Sequence, residues 1–221
     1  MMSWSLTRSV TGRRRYSVSY PILTRPLMNK ELAAMIEKIH EIFPYCNIGV
    51  ITNGVLLLSS GDQLFEIMKK NHVFLAITRY EPTENKINEI KAKLDRYGIT
   101  YEVSGHISHF RLQYNTHGKN DPMDNHQRCL DWCCHTIRGK KIGGCYYSVT
   151  ADISNEVLGT RIPGNDNCFD YTTDEYTGAQ LLQLLVSPTR LCAYCNSFPS
   201  PMRKWHQVTS EVTLDDWFYD E

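Results

Sequence analysis

Seven of the eight cysteines in this chain fall after residue 128: Cys129, Cys133, Cys134, Cys145, Cys168, Cys192 and Cys195. Thiolates are soft ligands that suit zinc and iron–sulfur clusters, and two of them separated by two residues can hold one centre from a tight turn. Cys192-Ala193-Tyr194-Cys195 has that spacing. It needs partners, and the stretch Arg138-Gly139-Lys140-Lys141-Ile142-Gly143-Gly144-Cys145 reads as a tight glycine-rich turn delivering another thiolate. A closed four-thiolate site can be drawn from Cys129, Cys145, Cys192 and Cys195, with Cys134 as the main substitute ligand. Buried free thiols are the alternative, because cysteine is among the most buried residue types. Cys46, before the first apolar strand, reads as a core residue, and Cys168 is left undecided.

Histidine can replace a thiolate in zinc sites, which brings in His126 and His135 on the flanks of the cluster. His106 and His109, near a strand end and within reach of His117, form a weaker candidate, since strand geometry turns residues three apart to opposite faces. Tyr146 and Tyr147 follow Cys145 directly and read as packing around the centre. Asp170, Asp174 and Glu175 precede the last helix, where they can cap it or contact a substrate.

The elements that must position these groups follow from hydrophobic spacing. Leu32, Ile36, Ile39 and Phe43 predict an amphipathic helix over residues 29–43 with Asn29 as its cap. Ile48 to Ile51 is a β-branched run closed by Thr52-Asn53-Gly54, and helices over 61–70 and 83–97 alternate with strands at Val73–Thr78 and Ile99–Val103. Such alternation implies βαβ crossovers and a parallel sheet, with Phe110–Tyr114 adding one more strand. Ligands of parallel sheets collect at the C-terminal strand ends, here Asn53, Thr78 and Arg79, the candidate cofactor-binding residues. Beyond a loop over Asn115–Asp124 comes a second module, with one strong helix over 176–186 ended by Ser187-Pro188. The expected fold class is α/β: an incomplete parallel (β/α) barrel over residues 21–115, then a small cysteine-rich α+β module over 116–221.

Composition narrows the function classes. Lys and Arg number 24 and Asp and Glu 24, so the chain lacks the basic excess that nucleic acid requires. The local basic cluster Arg8, Arg13, Arg14 and Arg15 lies in a Ser/Thr-rich opening, and residues 1–20 read as a disordered tail. No apolar run is long enough to span a membrane and no signal-peptide core is present, so a cytoplasmic location is expected, where cysteines serve metals or catalysis more often than disulfides. No Walker loop, nucleophile elbow or dinucleotide fingerprint is present.

Taken with this order of cysteines, the chain resembles the C-terminal part of radical S-adenosylmethionine enzymes that carry a SPASM or twitch auxiliary-cluster module. Cys129, the turn at Gly139-Lys140, Cys145 and the Cys192/Cys195 pair stand where that module has its hairpin and distant CxxC. Phe43-Pro44 followed by Ile48-Gly49-Val50-Ile51-Thr52-Asn53-Gly54 is similar to a strand and turn of the partial barrels, and residues 21–27 to the tail of their GGEP segment. The likeness extends over roughly residues 20–217, to the late tryptophans Trp205 and Trp217.

The resemblance implies an auxiliary iron–sulfur cluster, of the 4Fe-4S type, and radical chemistry on peptides, sugars or small metabolites. It also carries departures. The CxxxCxxC loop that binds the cleaving cluster is missing, Val18-Ser19-Tyr20-Pro21 replaces GGEP, and Lys140 stands where the hairpin glycine is expected, beside Gly139. Three ligands are needed for the open-iron cluster that cleaves S-adenosylmethionine. The isolated chain is therefore not expected to cleave it, and use of S-adenosylmethionine requires a second chain supplying the missing N-terminal half. The rival expectations are a zinc-stabilised, non-enzymatic binding module and an inactive truncated fragment.

Overall fold

The computed structural model describes the backbone of residues 2–8 and 14–20 and, with side chains, residues 26–132, 134–164, 168–197, 199–207 and 211–220. The chain is mixed α/β and divides into two compact units, residues 1–108 and 109–221. The division falls a few residues before the boundary that the loop composition suggested at 115/116.

The first unit runs β1 (Met2–Arg8), β2 (Arg14–Tyr20), α1 (Leu32–Ile42), β3 (Asn47–Thr52), α2 (Asp62–Lys70), β4 (Phe74–Arg79), α3 (Glu81–Glu84), α4 (Ile87–Tyr97) and β5 (Thr100–His106). Strands β2, β3, β4 and β5 are parallel in the order β5-β4-β3-β2, and β1 pairs antiparallel with β2. The stretch read as a disordered tail thus supplies two strands. The segment of residues 21–27 compared with the GGEP tail lies outside the described residues at 21–25, and so does Arg13 of the basic cluster.

Alternation explains the packing. Ile48, Val50 and Thr52 of β3, and Leu75 and Ile77 of β4, point into one core with Ile36 of α1, Phe65 and Met68 of α2 and Ile90 and Leu94 of α4. Each helix thus buries the stripe that its 3.6-residue period creates. Helix α1 starts later than expected, with Glu31 rather than Asn29 in the cap position; the Asn29 Oδ1 accepts from the backbone N–H of Glu31 at 2.9 Å. Lys93 fastens α4 to the loop between β3 and α2 by donating to the carbonyls of Leu57, Leu58 and Ser60, with its ammonium 4.7 Å from the Phe65 ring centre. Cys46 is half-buried and does not belong to this core, contrary to the sequence reading.

The second unit is less regular: β6 (His109–Arg111), α5 (Pro122–Gln127), β7 (His135–Arg138), β8 (Lys141–Gly143), α6 (Ala151–Leu158), β9 (Cys168–Asp170), α7 (Gly178–Val186) and β10 (Met202–Lys204). β7, β8 and β9 form an antiparallel ribbon, and β6 pairs antiparallel with β10. The apolar cluster combines Tyr114, Tyr147, Ala151, Ile162, Leu191 and Phe218, with Cys145 and Cys195 packed against it. The cap of α7 is Thr177, which forms a reciprocal pair of bonds with Gln180. Asp170 and Asp174 close a turn of their own instead of capping this helix. No helix among the described residues is long and apolar enough to cross a membrane.

Candidate metal centre

The CxxC arm is shaped by its flanks. Thr189 starts a 3-10 helix over Arg190–Tyr194, its hydroxyl accepting from Leu191 N at 3.0 Å. Its own N–H lies 3.4 Å from Cys192 Sγ and donates to it. Cys195 N donates to the Cys192 carbonyl at 3.2 Å, which closes the turn.

Three asparagines spaced five residues apart hold this turn. Asn125, carried on α5, donates to the carbonyls of both Cys192 (2.9 Å) and Cys195 (2.7 Å); Asn120 donates to Cys195 O at 2.8 Å and Asn115 to Ala193 O at 3.4 Å. Asn115 and Asn125 are buried, where an amide without partners would be costly. Helix α5 can present Asn125 because Pro122 occupies its first turn and Asp121 caps it, accepting from Asp124 N at 2.8 Å. Gly118, at φ +59°, lies so close under the Tyr194 ring that a Cβ there would sit 2.4 Å from it.

The other two cysteines arrive from different elements. β7 and β8 form a two-residue hairpin with Gly139 at φ +58°, the glycine that the tight turn requires. The hairpin leads into Cys145, whose thiol receives the backbone N–H groups of Tyr147 and Ser148. Cys129 follows directly after the end of α5 and receives the N–H of Asp131.

Cys129, Cys145 and Cys195 line one cavity of about 50 Å³. Burial pushes the Cys145 thiol up to about 11 against the pull of its two N–H donors, and the neighbouring Cys192 and Cys129 add to the rise. Cys195 is held well above its ordinary range by burial first and then by Cys145, Cys192 and Cys129. Cys129 is raised chiefly by burial, with Asp131 and Cys192 among the charges that add to it. Negative charge on Cys145 or Cys195 is therefore opposed by the neighbouring thiols, as expected of like groups brought near one another without a cation.

Tyrosines close the cavity. Tyr114 and Tyr147 stack with ring centres 3.7 Å apart, and Tyr114 shares a hydrogen bond with Tyr146, whose hydroxyl donates to Gln113 Oε1 at 2.8 Å. Gln113 continues the chain by donating to Asp131 at 2.9 Å. Burial raises the pKa of all three tyrosines, so they remain neutral walls.

No family model and no curated protein matches this chain.

Other candidates fall elsewhere. Cys134, the substitute ligand, is not part of the cavity wall; its thiol lies 4.0 Å from Asp131 Oδ1. Cys133 lies outside the described residues. Cys168, on β9, donates to the Ser148 carbonyl at 3.2 Å. His135 Nδ1 meets the Gly144 carbonyl at 3.1 Å, and neither it nor His126 lines the cavity. His106 ends β5 in the first unit, whereas His109 and His117 belong to the second. At the ends of the parallel strands, Asn53 accepts from Val55 N at 3.2 Å, and Arg79 lies 3.3 Å from Glu84, which also meets His106 at 3.0 Å. Among the described residues, no three His, Cys, Asp or Glu side chains are grouped so as to hold a metal ion.

Proposed function

We propose that Cys129, Cys145, Cys192 and Cys195 ligate an iron–sulfur cluster, and that the chain acts as the auxiliary-cluster part of a radical-modifying enzyme. The observation that supports this reading is that Cys129, Cys145 and Cys195, from distant stretches, line one cavity, with Cys192 electrostatically coupled to them and backbone N–H donors at the sulfurs of Cys129, Cys145 and Cys192. A neutral thiol is a weak acceptor, whereas a metal-bound thiolate is a strong one, and hydrogen bonds to sulfur tune the potential of iron–sulfur centres.

The choice of a cluster over a single zinc ion rests on the resemblance described above; zinc would demand four sulfurs at about 2.3 Å from one point. A cluster takes each thiolate at a different iron atom, which suits thiols spread around a cavity wall. Burial among tyrosines supplies the low-polarity surroundings that also set a cluster's potential.

The wider enzymatic reading rests on the resemblance described above. The parallel strands of the first unit are read as part of an incomplete (β/α) barrel, with Asn53, Thr78 and Arg79 at strand ends facing a bound molecule. The cluster that cleaves S-adenosylmethionine would come from a second chain.

Anaerobic reconstitution with iron and sulfide, followed by metal analysis and visible spectroscopy, tests the ligand set. Stoichiometric iron and acid-labile sulfide with broad visible absorbance, lost in Cys192→Ser and Cys145→Ser, are expected. Stoichiometric zinc in a colourless sample would instead identify a structural metal site.

A further inference from the structure

A second cavity of about 240 Å³ lies within the same unit and shares Arg111, Gln113, Tyr114 and Tyr146 with the thiol cavity. Phe110, Leu112 and Trp217 add an apolar and largely aromatic wall. Its volume is below the range of about 300–1,000 Å³ typical of drug-sized ligands, which points to a compact molecule with a single ring.

The polar groups of this cavity are unequally engaged. Asp216 already accepts from Thr213 N (2.9 Å), Thr213 Oγ1 (3.0 Å) and His206 Nε2 (3.0 Å), and lies 3.7 Å from Arg203. Gln113 uses both ends of its amide, on Tyr146 and on Asp131. Arg111 differs: its ion pair with Asp131 is long, at 3.9 Å, and Asp131 is claimed at 2.9 Å by Gln113. A guanidinium carries five donors in a planar fork matched to a carboxylate. Among the described residues, the cavity therefore holds a cation with donors to spare beside rings that favour stacked or edge-on aromatic partners.

We propose that this cavity binds a small aromatic carboxylate, its carboxylate on Arg111 and its ring between Phe110 and Trp217. The site stands on these residues alone and does not require the cysteine centre to be an iron–sulfur cluster. Tyr146, common to both cavities, places such a ligand next to the thiols. A charge-assisted pair replacing a neutral contact corresponds to roughly a tenfold preference for the acid over its amide.

The test is calorimetric titration of the intact chain with phenylacetate, phenylacetamide and cyclohexylacetate, with metal content measured on the same samples so that the two proposals are scored separately. Saturable one-site binding of phenylacetate, about tenfold weaker binding of the amide and weaker binding of cyclohexylacetate are expected. Arg111 and Trp217 are both partly exposed, 31% for the Arg111 side chain and 42% for Trp217, so substituting them spares the core. Arg111→Gln should erase the preference for acid over amide, and Trp217→Leu should weaken both ligands while keeping it. Absence of saturable binding, equal affinity for acid and amide, or an undiminished preference in Arg111→Gln would overturn the assignment.

Discussion

The two units of this chain are stabilised by different means. The first buries aliphatic side chains on regular alternating strands and helices, and its fully buried residues include Phe65, Leu75, Ile77, Ile90 and Leu94. The second has short elements and a smaller apolar cluster built around tyrosines, and its turns are held by side-chain amides on backbone carbonyls. A unit of that kind has less hydrophobic burial to offset the entropy of ordering its chain, and small modules commonly add a metal to make up the difference. The contrast is between aliphatic packing on regular elements in the first unit and, in the second, a tyrosine cluster with a CxxC turn held by asparagine amides.

The largest expected effect breaks the second unit alone. Cys192→Ser combined with Cys195→Ser should abolish metal binding and remove a contribution on the order of 10 kcal/mol, the scale measured for structural thiolate centres. Hydrogen exchange should then show lost protection after residue 108 and retained protection in β3, β4 and α4. The converse substitution, Phe65→Ala, should cost about 3–5 kcal/mol in denaturant unfolding and leave metal stoichiometry unchanged.

Proton linkage sharpens the comparison at a smaller scale. In the metal-free chain the Cys145 thiol is pushed up to about 11, so the folded state keeps a proton that the unfolded state releases at lower pH. Stability is therefore full below the unfolded thiol range near about 8.5 and falls as pH rises towards 11, by about 3 kcal/mol in all. Metal uptake must displace these protons, so apparent affinity should rise with pH between about 6 and 9, with proton release visible in calorimetry performed in two buffers. Asn125→Ala, which leaves the Cys192 and Cys195 carbonyls without their shared donor, should cost about 1–3 kcal/mol and weaken metal retention.

The first unit was legible because its core obeys a period. Leu32, Ile36 and Ile39 recur at helical spacing, Ile48 and Val50 at strand spacing, and both patterns survive in the packed structure. The β1–β2 pairing was missed although Met2, Trp4 and Leu6, and Tyr16, Val18 and Tyr20, alternate with polar residues, because the Ser/Thr content and the arginine cluster were read as a tail. In the second unit, cysteine spacing singled out Cys129, Cys145, Cys192 and Cys195, and the cavity wall includes three of them. Cys134 was offered as a substitute because sequence distance cannot tell which of two neighbouring thiols turns toward a site. The asparagine clamp left its trace in the five-residue spacing of Asn115, Asn120 and Asn125, yet in sequence it reads as an ordinary polar loop. Its role appears only when α5 is set against the CxxC turn.

Iron K-edge X-ray absorption on the anaerobically reconstituted chain addresses the central claim most directly. Sulfur neighbours at about 2.3 Å together with iron–iron backscattering, both lost on replacing Cys145, are the predicted result. Nitrogen or oxygen ligation, or an iron signal that persists unchanged in Cys145→Ser, would contradict it.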